Sequence, residues 1–194
     1  MDRVDVAVNR GTTIPVIIRA VKPSDFDAIA AITNPYILRT SIHFGTALVT
    51  ADELRADWEK TRDQFPYAVA VDGGIVGYAK TTTFRARPAY AWTAEIGVYV
   101  DEKHHQRGVA TALYRTLVAV CRAQGFHALI GGITLPNDAS VRLHEKLGFV
   151  KVGHFREIGW KFSEYHDVGF WQLSLSSSKL PARPLLPVSA AWPG

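Results

Sequence analysis

Apolar positions along the chain switch between a period of about two and a period of about 3.6, and the order of the switches predicts the elements. Val16-Ile17-Ile18 is a short apolar run that reads as a buried strand. Pro23-Ser24-Asp25 then opens a helix with Phe26, Ile29, Ala30 and Thr33 on one face. Its end is expected near Asn34-Pro35, because proline has no amide hydrogen and disfavours helical geometry before it. Thr50 followed by Glu53 is a capping box that starts a second helix through Leu54 and Trp58. Tyr67–Val71 and Ile75–Phe84 read as strands joined at Asp72-Gly73-Gly74, a tight hairpin signal.

Thr93–Val100 has the most regular alternation, with Ala94, Ile96, Val98 and Val100 on one face and Thr93, Glu95, Gly97 and Tyr99 on the other. A turn rich in His and Lys separates it from a helix over Val109–Gln124, whose stripe is Val109, Leu113, Leu117, Val120 and Cys121 and whose stop is Gly125. Ala128–Ile133 is the next strand. Asn137 or Asp138 caps a short helix to Lys146, and strands over Phe149–Arg156 and Val168–Leu175 finish the pattern. Early hairpins with one strand–helix–strand crossover predict an α/β fold around a mixed sheet. The expected organisation is a loose extension over residues 1–13, one domain over 14–176 and a proline-rich tail over 177–194 that lies against the body or a partner.

Composition narrows the class. The 194 residues are 47% hydrophobic and 21% charged, enough for one sizeable core. No run approaches the roughly 20 apolar residues of a membrane-spanning helix, and residues 1–13 carry both charge signs, unlike a secretory signal. With Cys121 as the sole cysteine, an intramolecular disulfide is excluded, and a cytoplasmic location is expected. The net charge is +4, but the basic residues are scattered among acids, so nucleic acid is not the expected partner. The histidines show no metal-ligand spacing, and no metal is expected.

Candidate chemistry sits between the regular strand and the long helix, at His105-Gln106-Arg107-Gly108-Val109-Ala110. Free amides and the positive end of the dipole converge at a helix N-terminus, and glycine there lets backbone approach a phosphate. On spacing alone such a glycine more often only shapes a turn. Glu95-Ile96-Gly97-Val98-Tyr99-Val100, the Gly108 loop and the helix together resemble the acetyl-CoA-binding core of the GNAT superfamily of N-acetyltransferases, with His105 standing where that family has Gln or Arg. Phe84-Arg85-Ala86-Arg87, Trp92-Thr93-Ala94-Glu95, Leu135-Pro136-Asn137-Asp138, His144-Glu145 and His166-Asp167-Val168-Gly169-Phe170-Trp171-Gln172-Leu173 narrow the likeness to its phosphinothricin N-acetyltransferases, over about residues 16–188.

The resemblance implies a GNAT fold with splayed central strands, acetyl-CoA as acetyl donor, a small amino-acid-like amine (phosphinothricin, methionine sulfoximine or sulfone) as acceptor, and a homodimer. It implies cofactor contacts at Val98, Tyr99, Val100, Gln106, Arg107, Gly108, Val109, Ala110, Thr111 and Asn137, the last also an excellent helix cap. Glu95 becomes the candidate general base, since an amine must lose a proton to attack; without the resemblance it reads as a solvent-facing strand residue. His144 is a candidate proton relay or orienting group, and equally an ordinary helical histidine. Arg85 and Arg87 are the candidate clamp for a carboxylate or phosphinate, with Phe44 and Tyr90 as pocket walls; a solvated loop and core packing explain the same residues. Other readings stay open: a GNAT acting on an aminoglycoside, polyamine or protein N-terminus, or a silent acyl-CoA-binding module.

Overall fold

A computed structural model describes residues 16–177 and 183–192. The expected extension over residues 1–13, and the part of the tail at Leu180-Pro181, lie outside the described residues. The elements are β1 (Ile17–Ala20), α1 (Phe26–Arg39), α2 (Ala51–Thr61), β2 (Tyr67–Val71), β3 (Ile75–Thr83), β4 (Thr93–Val100), α3 (Val109–Gln124), β5 (Ala128–Leu135), α4 (Asp138–Lys146), β6 (Val150–Lys161), β7 (Glu164–Ser174) and α5 (Val188–Ala191). Seven strands form one sheet in the order β1-β2-β3-β4-β5-β7-β6. Every pairing is antiparallel except β4–β5, the crossover pair joined by α3.

Two apolar layers cover the two faces. On one, α3 buries Val109, Leu113, Leu117 and Cys121 against Ala94 and Ile96 of β4 and Leu129 of β5. On the other, Phe26, Ile29 and Ile32 of α1 pack on Tyr67, Val69 and Tyr78. The capping box of α2 is formed: the Glu53 amide donates to Thr50 Oγ1, and Glu53 accepts from the Thr50 amide. The α3 stripe ends at Gly125 with φ +98°, a left-handed stop that glycine adopts without strain. Among the described residues no helix is long and apolar enough to cross a membrane.

Two expectations fail. The first helix does not stop at Asn34-Pro35; α1 carries Pro35 inside it and ends at Arg39. Ile37, in the extra turn, is 3% exposed, and burying it offsets the hydrogen bond that proline removes. Asn34 does not stop the helix either: its side chain makes a reciprocal pair with the Val49 backbone, 3.0 Å each way, and ties down the chain before α2. The second failure is at the end of the sheet. β6 and β7 run to Lys161 and from Glu164 and meet at Phe162-Ser163, where both residues have positive φ. A shift in register between Phe155 and Gly159 interrupts the alternation there, which hides the continuation of the strand beyond Arg156 from a period-two reading.

Candidate active site

β4 and β5 part company in mid-sheet. They are paired only at Thr93–Ala128, Ala94–Leu129 and Glu95–Ile130, although β4 continues to Val100 and β5 to Leu135. The opening is lined by Ile96, Gly97, Val98 and Tyr99 on one side, Gly132, Ile133 and Thr134 on the other, and Asn137, Tyr114, His144 and Ile42 around it.

Register decides which backbone groups face this opening. The Asp101 amide donates to Val76 O at 2.9 Å, and Tyr99 stands opposite Tyr78. In an antiparallel ladder alternate residues turn both polar groups to the same neighbour. Gly97 and Tyr99 therefore bond toward β3, whereas Ile96, Val98 and Val100 turn toward the cleft. The Ile96 carbonyl accepts from the Tyr114 hydroxyl at 3.3 Å, and that of Val100 from the Tyr36 hydroxyl at 2.6 Å. Val98 keeps both its amide and its carbonyl open to the cleft, as a free strand edge that an extended arm can join. Tyr99 also lines the opening; its backbone belongs to the β3 ladder, and its ring packs on Tyr36, Tyr78 and His43.

At the C-terminal end of β4 the chain turns into α3. Gln106 (φ +61°) and Gly108 (φ +81°) are both left-handed. The Ala112 amide is the first of α3 with a partner, Gly108 O at 3.0 Å, so the amides of Val109, Ala110 and Thr111 point off the helix end. Gln106 and Arg107 are exposed beside them. This arrangement suits an anion such as a pyrophosphate. His105 is exposed as well, and its Nε2 lies 2.9 Å from the Tyr36 hydroxyl and 3.0 Å from Val100 O. Asn137 caps α4, its side chain accepting from the Ser140 amide at 3.1 Å, and it also lines the cleft. Gly108→Val should weaken CoA binding about 10-fold or more, since a β-branched residue resists this left-handed geometry and fills the approach. Calorimetry with CoA on the folded variant checks this; an unchanged affinity places the anion site elsewhere.

Two consecutive glycines of β5 report the two faces of the cleft. A Cβ on Gly131 would collide with the His144 ring, and one on Gly132 would lie 3.4 Å from Glu95 Oε1. Glu95 and His144 thus flank the opening from opposite faces. Glu95 is half-buried, and burial alone pushes its carboxyl above the usual range. His144 is 2% exposed. Its Nδ1 donates to Ser140 O at 2.8 Å, leaving Nε2 unprotonated and 3.2 Å from the Tyr114 hydroxyl, whose one proton it shares with Ile96 O. Burial lowers its pKa, so the ring is neutral at pH 7.

The remaining candidates lie farther out. Arg85, Arg87 and Tyr90 are exposed on the β3–β4 connection and are not among the residues lining the cleft. The Arg85 guanidinium lies 5.2 Å from the Phe84 ring centre, and Phe84 stands edge-on to Tyr90 at 5.8 Å. Phe44 lies in the α1–α2 loop against Gly159 and His166. Sequence reasoning missed Tyr36, Ile42, Lys80 and Tyr114. Lys80 stands opposite Gly97 on the face that carries Glu95, with its pKa lowered by burial. The signal that could have found this region is the Gly131-Gly132 pair inside a strand, a mark of close approach. Among the described residues no group of three His, Cys, Asp or Glu could hold a metal ion.

Comparison with known proteins agrees with this geometry. The acetyltransferase (GNAT) domain matches residues 18–169. A phosphinothricin N-acetyltransferase of Streptomyces viridochromogenes is 41% identical over 90% of this chain and 96% of its own. An L-methionine sulfoximine/L-methionine sulfone acetyltransferase of Salmonella typhimurium is 32% identical over 84% and 97%. A GNAT superfamily phosphinothricin acetyltransferase from Sinorhizobium meliloti, solved in complex with acetyl-CoA, superposes with a TM-score of 0.83 at 27% identity, covering 87% of this chain and 93% of that one. A parallel pair that opens after Glu95, a left-handed glycine at the start of the following helix and these relatives lead to one assignment: the chain belongs to the GNAT family of acetyltransferases.

Proposed function

We propose that this protein transfers the acetyl group of acetyl-CoA to the amine of phosphinothricin or a related amino acid such as methionine sulfoximine or sulfone. The observation that carries the reading is the parting of β4 and β5 beside a half-buried carboxylate. In this reading the amides of Val109, Ala110 and Thr111, with Gln106 and Arg107, hold the donor's pyrophosphate. The open edge at Val98, the Val100 amide and Asn137 hold its pantetheine arm. The Val98 amide polarises the thioester carbonyl, as a fixed donor does best where charge develops. Glu95 takes the proton of the acceptor ammonium, directly or through one water, and the freed nitrogen lone pair forms the C–N bond. The C–S bond then breaks, the nitrogen gives up its second proton to solvent or the site, and the leaving thiolate takes one up. His144, neutral with an unprotonated Nε2, and the Tyr114 hydroxyl complete the far wall. Arg85 and Arg87 attract the acceptor's anionic group to the open end of the cleft.

Incubation with acetyl-labelled acetyl-CoA and methionine sulfone tests the reaction. The expected result is N-acetylated product in step with CoA thiol release. Thiol release without the amide, or none at all, overturns the reading.

The same reading includes a homodimer. Val150, Val152, Phe155, Ile158, Trp160, Phe162 and Tyr165, on β6, the turn after it and the start of β7, are each more than half exposed, an apolar surface along a free strand edge. Trp160→Glu with Ile158→Glu should yield a monomer by light scattering; a wild-type monomer, or an unaffected dimer, removes this surface from the account.

A further inference from the structure

Lys161, the last residue of β6, is 6% exposed. Its ammonium faces no carboxylate among the described residues. Instead it donates to three backbone carbonyls: Ile37 O at 2.6 Å, Thr40 O at 2.8 Å and His43 O at 2.6 Å. The first belongs to the last turn of α1, whose carbonyls have no partner within the helix. The other two belong to the loop that follows.

The same stretch of β6 holds that loop a second time. A Cβ on Gly159 would collide with the Phe44 ring, so the ring rests on bare backbone, against His166. Between the two holds, Ile42 reaches the cleft lining beside Val98, and the His43 ring packs on Tyr99. Residues 40–45 carry no regular secondary structure, and the two contacts from β6 hold them from below.

Resting on the reading above, we propose that Lys161 is a positioning residue for the acceptor amine: its three-carbonyl clamp, with Phe44 seated on Gly159, sets residues 40–45 as the acceptor-side wall of the cleft. The ammonium also lies 4.9 Å from the Phe162 ring centre, and its three donors on one atom tie the end of α1 and two points of the loop to one strand. The phosphate end of the donor site, at the turn from Gln106 to Gly108 and the start of α3, lies apart from the three carbonyls and the Phe44 seat.

Lys161→Met, Lys161→Arg and Gly159→Ala test the clamp. Lys161→Met leaves three carbonyls without their charged donor, and Gly159→Ala lifts Phe44. Both should raise the acceptor KM about 10-fold or more while the acetyl-CoA Kd stays unchanged, and Lys161→Arg should recover part of the loss. Hydrogen exchange reads the clamp without any turnover: amides of residues 40–45 should exchange faster in both variants, those of α3 and β4 at the wild-type rate. Unchanged exchange over 40–45, or a fall in kcat with KM unaltered, overturns the proposal. If Lys161→Met does not fold, Gly159→Ala and Lys161→Arg decide it by the same two readouts. Failure of the wild-type enzyme to acetylate any amino acid would sink the substrate reading alone, with the exchange data still deciding whether the loop is held as stated.

Discussion

Replacing Glu95 by Gln is expected to lower kcat about 100-fold or more while leaving acetyl-CoA affinity almost unchanged. The substitution keeps the shape of the side chain above Gly132 and removes only its capacity to take a proton. Burial holds the Glu95 carboxyl above its ordinary value, which gives the prediction two further signs. A base works when deprotonated, so wild-type activity should rise with pH through this raised pKa, on an acid limb above the range of a solvated glutamate. A carboxyl raised in the fold binds its proton more tightly there than in the unfolded chain. Its ionised form therefore weakens the fold progressively as pH rises from the unfolded to the folded pKa, and fully above it. Glu95→Gln should accordingly raise Tm at neutral pH as it lowers kcat. Loss of activity with a lowered Tm would point to structural damage, and near wild-type activity at pH 7 would remove Glu95 from the mechanism.

The second large effect concerns the acceptor's charge. Arg85→Ala or Arg87→Ala should raise KM for phosphinothricin or methionine sulfone about 10- to 100-fold without weakening acetyl-CoA binding, because a charge-assisted bond to an anion is worth roughly 1.5–3 kcal/mol. Both arginines are exposed, so the lower end of that range is the expectation if the loop stays open around the acceptor. Esterifying the acceptor's carboxylate should mimic one of the two variants, and the losses should not add if both break the same contact. Unchanged KM in both variants would move the anion site elsewhere, with Lys80, on the Glu95 face opposite Gly97, the next residue to test.

Much of this architecture was legible because one period dominates each element. Thr93–Val100 and Val109–Gln124 carry unbroken two-residue and 3.6-residue patterns, and the structure reproduces both boundaries. Where two demands share a segment the pattern misleads. Pro35 signals a stop, but burial of Ile37 carries α1 onward. The far end of the outer hairpin, beyond Arg156 and before Val168, escaped because a register shift scrambles the alternation of β6, and because its large apolar residues face outward. Within the site, the phosphate-like turn could be placed from Gly108 and the helix behind it. The contact of His105 with Tyr36, the hydroxyls of Tyr36 and Tyr114 on strand carbonyls, and the Lys161 clamp join residues up to 124 positions apart. Contacts across such separations leave no local period to read.

The most direct test of the whole account is the wild-type kcat/KM for acetyl transfer across one set of primary amines at a single pH: phosphinothricin, methionine sulfone, the carboxyl ester of each, a polyamine and an aminoglycoside. The two free amino acids are expected to be the best acceptors, their esters to fall about 10-fold or more behind, and the polycations to trail both. Preference for the polyamine or aminoglycoside, or equal use of ester and free acid, would contradict it.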